Sequence, residues 1–150
     1  MIREFEPADT IATASVWYRS GIDEYTYLPD FQSLDELKAL EVFEDLILKN
    51  PSIWVYESAA SIGGFLAMDG SYIDRLYVAP EHQRKGIGAT LIAHAKIVSP
   101  DHLSLHTHQQ NHRARRLYEK SGFVAVRFGL SPPPESVPDV EYHWRPPDSV

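Results

Sequence analysis

Seven consecutive residues, Gln83-Arg84-Lys85-Gly86-Ile87-Gly88-Ala89, have the types and spacing to hold a phosphate. An apolar run, Leu76-Tyr77-Val78, precedes them and reads as a strand. Ile87, Leu91, Ile92 and Ala95 follow at helical spacing, so the segment reads as strand, loop, helix. The first amides of a helix lack partners within it, and the helix dipole makes that end positive. Such an end attracts phosphate, and Arg84 and Lys85 add charge. Gly86 and Gly88 remove side chains where the backbone must come close to a ligand. Two familiar phosphate sites are excluded. A nucleotide P-loop needs Lys and then Ser or Thr after its last glycine, but Ala89 and Thr90 stand there. A dinucleotide fingerprint needs a third small residue where Leu91 stands.

His102, His106, His108 and His112 form a second cluster. His106 and His108 share one face of a strand, a spacing able to bind zinc, but no well-spaced carboxylate completes the set. The expectation is a polar cleft wall or surface histidines, with no metal. Cysteine is absent, which excludes disulfides, thiolate zinc sites and a thiol nucleophile.

Phosphate chemistry needs a scaffold, and the composition allows one. The 150 residues are 43% apolar and 23% charged, which fits one globular domain spanning 1–150. No apolar run approaches the ~18 residues of a membrane span. Met1-Ile2-Arg3-Glu4-Phe5 lacks a signal-peptide layout, so a cytoplasmic protein is expected. Residues 1–70 carry 4 Lys/Arg against 13 Asp/Glu, whereas residues 80–127 carry 8 against 3. A basic stretch suits an anionic ligand and an acidic half suits a cationic one. Net charge of −7 argues against nucleic acid as a partner.

The elements follow from pattern. Ile2 to Glu6 reads as a strand, and Asp9 or Thr10 caps a helix to about Tyr18. Gly21 to Phe31 reads as a loop rich in Asp, Glu and Tyr. Ser33-Leu34-Asp35-Glu36 reads as a capping box opening a helix that Asn50-Pro51 ends. Strands are expected over 53–57, 62–68 and 72–78, with Asp69-Gly70 as a hairpin turn. A helix after Gly86, a strand over 103–107, a helix around Leu117 ended by Gly122, and strands over 123–128 and 140–144 complete the order. The fold class is mixed α/β, a central sheet flanked by helices.

In two blocks the chain resembles the GNAT superfamily of N-acetyltransferases. Gln83, Gly86 and Gly88 fit that family's Gln/Arg-x-x-Gly-x-Gly/Ala signature. Asp74 to Pro80 resembles its fourth strand, and Asn111, Ala114, Leu117 to Lys120 and Gly122-Phe123 resemble its second block. The resemblance is strong over 70–128 and only architectural before it. It implies a mixed, mostly antiparallel sheet of about six or seven strands flanked by about four helices. It also implies acetyl-CoA as co-substrate, with its pyrophosphate on the amides of Arg84, Lys85, Gly86, Ile87, Gly88 and Ala89 beside Gln83. The pantetheine arm then pairs with Leu76, Tyr77 and Val78, where the fourth and fifth strands splay, and touches Asn111. Arg113, Arg115 and Arg116 are candidates for the adenosine phosphate. Tyr118 matches the family's general acid, which serves the departing thiolate.

The base is less defined. Tyr72 and Asp74 match the strand positions facing the acetyl group and share a face by alternation. Asp74 is the available carboxylate, either as base or paired with a nearby arginine. Tyr25, within an acidic and aromatic loop that covers the acceptor in the family, suits an ammonium group, and His106 suits the cleft wall. Pro132 to Asp139 is placed to close the other side. The expected activity is acetyl transfer to a primary amine, first a small molecule. A lysine or N-terminal acetylator, or an acyl-CoA sensor without turnover, is the alternative, and a homodimer stays open.

Overall fold

The structure, a computed structural model, describes residues 1–147. In chain order the elements are β1 Ile2–Glu4, α1 Thr10–Glu24, α2 Pro29–Gln32, α3 Glu36–Leu46, β2 Ser52–Ser58, β3 Ser61–Asp69 and β4 Tyr72–Val78. Then come α4 Ile87–Val98, β5 Leu103–His108, α5 His112–Lys120, β6 Val124–Leu130 and β7 Pro138–Trp144. The strands form one seven-stranded sheet in the order β1-β2-β3-β4-β5-β7-β6. Every pairing is antiparallel except β4 with β5. This is the GNAT arrangement that the two motifs led us to expect.

Helices cover both faces, so the central strands bury both sets of alternating side chains. On β3, Leu66 and Met68 point to the face covered by α4, joining Leu91 and Ile92. Phe65 and Ala67 point to the other, joining Trp17 of α1 and Phe43 of α3. All of these but Trp17, Met68 and Ile92 are wholly removed from solvent, and those three nearly so.

Two local expectations are corrected. First, α1 does not stop near Tyr18 but runs to Glu24, so half of the expected Gly21–Phe31 loop is helical. Gly21 reads as a stop in sequence, yet a Cβ there would lie 2.2 Å from the Phe31 ring. It is the notch into which α2 seats Phe31, whose ring meets Trp17 edge-on at 5.3 Å. Second, the cap of α3 is Asp35, whose carboxylate accepts from the Lys38 amide at 2.8 Å. Ser33 instead donates to the Asp30 carbonyl, closing the turn after α2.

The feature that makes a site is a bulge. Ala67 opposes Arg75 and Met68 opposes Ile73, which leaves Asp74 as an extra residue on β4. An extra residue bends and twists its strand. Beyond it β4 turns away from β5, and the two pair only at Tyr72 with Ser104 and Ile73 with Leu105. Past that point β4 keeps to β3 as far as Val78, and β5 keeps to β7 as far as His108. Their facing edges open into a wedge.

Candidate active site

The wedge is the mouth of a cleft of about 420 Å³, walled by β4, the loop after it, the start of α4, α5 and the end of β5. It has two halves built in different ways.

The half on the α4 side is made of backbone. Gly86 caps α4 at φ +81°, a left-handed conformation that side chains rarely adopt. Arg84 is also left-handed, at φ +65°. Thr90 is the first residue of the helix whose amide reaches a backbone acceptor, the Gly86 carbonyl at 3.0 Å. The amides before it face the cleft mouth as a cradle for an anion. Gln83 supports the loop by donating to the Val78 carbonyl at 3.2 Å, and its own oxygen accepts from Arg113. Gly88 lines the cleft and has a packing role as well: a Cβ there would lie 2.9 Å from Leu117, so its smallness lets α4 and α5 meet. Of the three helical arginines, Arg113 and Arg116 line the cleft. Arg115 does not, because it turns to the Tyr142 hydroxyl at 3.0 Å and the Phe128 ring.

Tyr118 sits where the halves meet. It is 7% exposed, packed on Phe123 and Tyr142 and lining the cleft, and its hydroxyl makes no hydrogen bond among the described residues. Burial, reinforced by the Glu24 carboxylate, holds that hydroxyl above the usual phenol range, so it stays protonated and available as a donor. Asn111 also lines the cleft, and its principal bonds are structural. Its oxygen caps α5 by accepting from the Ala114 amide, and its nitrogen donates to Glu24 at 3.4 Å.

The other half is made of side chains. The bulge turns Asp74 toward the end of α3, where it accepts from Asn50 at 2.8 Å and from Arg75 at 3.4 Å. The arginine pairing that the sequence left open is therefore present. Tyr25 and Tyr77 share a hydrogen bond of 2.6 Å between hydroxyls. Tyr72 bonds His106 at 2.9 Å, beside the cleft that His106 lines. His106 and His108 do lie on one face of β5, but each is engaged by a tyrosine and a carboxylate. His106 lies 3.5 Å from Glu141, and His108 takes Tyr27 at 2.7 Å and Glu135 at 2.8 Å. Among the described residues no group of histidines and carboxylates is arranged to hold a metal. The His108 contact holds the Glu135 carboxyl below the usual carboxylate range, so that carboxylate stays ionised.

Sequence reasoning missed Glu24, Tyr27, His108 and Glu135 as a set. Three separate signals bore on them, the acidic and aromatic loop, the period-two spacing of the histidines and the Pro132–Asp139 segment, but nothing in the sequence joined the three.

The Acetyltransferase (GNAT) family model matches residues 19–123, and the chain belongs to that family of acetyltransferases. Peptidyl-lysine N-acetyltransferase YiaC of Escherichia coli is 29% identical over 127 residues, covering 84% of each chain. Spermidine N(1)-acetyltransferase of Vibrio cholerae is 31% identical over 136 residues, covering 82% of this chain and 78% of that one. Among solved structures, YncA of Salmonella typhimurium with its cofactor acetyl-CoA superposes with a TM-score of 0.68 at 19% identity, covering 100% and 98%. The acceptors named for the first two differ in size by orders of magnitude, so kinship sets the chemistry as acetyl transfer to an amine and leaves the acceptor class open.

Proposed function

We propose that this acetyltransferase uses acetyl-CoA and acetylates a slender primary amine carried on a small molecule. The donor fits the α4 half. An anion cradle of free amides opens beside two unpaired strand edges, the pattern a pyrophosphate with an amide-bearing arm would satisfy. Arg113 and Arg116 flank it for a further phosphate. Acetyl-CoA, when bound, supplies an acetyl group activated as a thioester. The amide edge of Leu76 to Val78 orients that arm, and Tyr118 holds a proton for the sulfur. No protein nucleophile is needed, because the amine attacks directly.

The observation that carries the acceptor reading is the Tyr27–His108–Glu135 bridge. It joins the α1–α2 connection, the end of β5 and the β6–β7 loop across the acceptor half. None of its three residues lines the cleft itself, so we read the bridge as a strap beside the mouth that would admit a narrow chain with a terminal ammonium more readily than a folded surface. The tyrosines beneath it offer π faces to a cation. The negative charge of residues 1–70 draws that cation in.

A second reading has its own support. A lysine side chain is also a slender primary amine, and YiaC is named for peptidyl-lysine. Thiol release from acetyl-CoA, measured with alkylamines, polyamines, lysine peptides and a folded lysine-rich protein, separates the two. Preference for free amines by tenfold or more in kcat/KM supports the small-molecule reading, and preference for the folded protein overturns it.

A further inference from the structure

Two carboxylates line the cleft, Asp74 and Glu24. They differ in what already holds them. Asp74 accepts a full hydrogen bond from Asn50 and a second, charged contact from Arg75, both on Oδ2, so this carboxylate is fixed in place and paired with a guanidinium. Glu24, at the last position of α1, has one partner, the Asn111 amide, at a long 3.4 Å. One turn earlier the buried hydroxyl of Ser20 makes no hydrogen bond of normal length among the described residues but lies near enough to Glu24 to favour its charged form. Glu24 is thus the cleft carboxylate without a close cationic partner, held by one long amide contact and a neighbouring hydroxyl. Its charge reaches Tyr25, Tyr27, Tyr77 and Tyr118, which places it among the tyrosines of both halves.

We propose that Glu24 receives the acceptor's ammonium group and takes its proton. The proposal rests on the cleft being the acetyl-transfer site. The ammonium N–H bond breaks and an O–H bond forms on Glu24. The freed nitrogen pair forms the C–N bond of the amide as the C–S bond breaks. The sulfur takes its proton from Tyr118, the second proton shed by the nitrogen as the amide forms restores Tyr118, and Glu24 returns its proton to solvent. The sum is ammonium and thioester giving amide, thiol and one proton, with nothing oxidised. Glu24 suits the task because burial, partly offset by Asn111 and Arg113, lifts its carboxyl above the ordinary range toward that of an effective base. The groups facing it are Asp23 on its own helix, Asn111 and Arg113 from α5, and the four tyrosines. Arg113 divides its charge between Asp23 and Gln83, so it does not lock Glu24 in a tight pair.

The test uses Glu24→Gln, which keeps shape and removes the base, and Glu24→Asp, which keeps the base on a shorter arm. The probes are n-butylamine and an Nα-acetyl-lysine amide, so that a primary amine of either acceptor class is offered. Glu24→Gln should lower kcat/KM by about 10²–10⁴-fold and remove the acid limb of its pH profile, with coenzyme A affinity unchanged. Glu24→Asp should recover part of the loss and keep the limb. An acid limb that persists in Glu24→Gln, or a loss below about threefold, overturns the proposal. Carboxyl ¹³C NMR of the wild type, assigned by the Glu24→Gln spectrum, gives a readout free of turnover. The Glu24 titration midpoint should fall when n-butylammonium is added to the coenzyme A complex, and an unmoved midpoint overturns the proposal. If the wild type acetylates neither probe, the reading of the acceptor as an accessible primary amine fails, and the NMR midpoint still decides Glu24.

Discussion

The two halves of the cleft are built by different means. The donor half presents backbone, namely the amides around Gly86 and the open edge of β4. The acceptor half presents side chains brought from α1, the α1–α2 connection, β4, β5 and the β6–β7 loop. A backbone cradle recognises what all donors share, phosphates and amides. A side-chain lattice recognises what one acceptor has. Members of one family can therefore keep the first and replace the second, as the peptidyl-lysine and spermidine relatives imply by their names.

Mutations can break or sharpen this contrast. The largest effect is expected where the halves meet. Tyr118→Phe keeps the packing on Phe123 but removes the proton donor, so kcat should fall by about 10²–10⁴-fold while coenzyme A affinity holds. Unchanged kcat would make Tyr118 a packing residue. Next is the donor half. Gly86→Val forces a β-branched residue to φ +81°, although a Cβ there meets no atom within 4 Å. The cost is therefore backbone strain, about 1–3 kcal/mol, or roughly 5- to 150-fold in coenzyme A affinity measured by titration. An equal loss in Gly86→Ala and Gly86→Val with an unchanged loop would favour strain over bulk.

The acceptor half should respond in selectivity instead. His108→Ala removes both bonds of the strap, so bulky amines should gain in kcat/KM relative to n-butylamine by about tenfold, with coenzyme A binding unaltered. A fall in coenzyme A affinity there would break the division between halves. Smaller still is Asn50→Ala, which strips Asp74 of its best donor; urea denaturation should show a loss of about 1–2 kcal/mol.

The last effect is one of sign. Glu24 has its folded pKa raised by burial, so its contribution to stability is full below its unfolded pKa and is lost as pH rises through the folded pKa. Glu24→Gln should then melt higher than wild type at pH 7 and no higher at pH 4, read by thermal denaturation.

The donor half was legible because it is local. Gln83 to Ala89 and the strand before it are contiguous, and glycine spacing reports backbone conformation directly. That spacing does not reveal that Gly88 also makes room for Leu117. Nothing in a helix pattern tells which distant side chain fills a notch. Gly21 misled in the same way, since a glycine facing Phe31 and a glycine ending a helix look identical in sequence. The acceptor half was barely legible because its bonds join Tyr27 to His108 and His108 to Glu135, residues far apart in the chain. Tyr72 and Asp74 were placed on one face by strict alternation, which gives no hint of the bulge that makes Asp74 the extra residue of β4.

That bulge has a mechanical consequence. With β4 and β5 joined at two paired positions, the sheet is two stiff plates, β1 to β4 and β5 to β7, sewn together by a short seam. The seam is the natural place for the molecule to breathe. A donor whose arm pairs with both edges would complete the stitching. Its binding would then register far from the cleft, as slowed amide exchange in both plates. At a hundredfold excess over Kd it would raise the unfolding free energy by about 2.7 kcal/mol. The empty enzyme is then the looser one, closing its own fabric around the molecule it is about to cut.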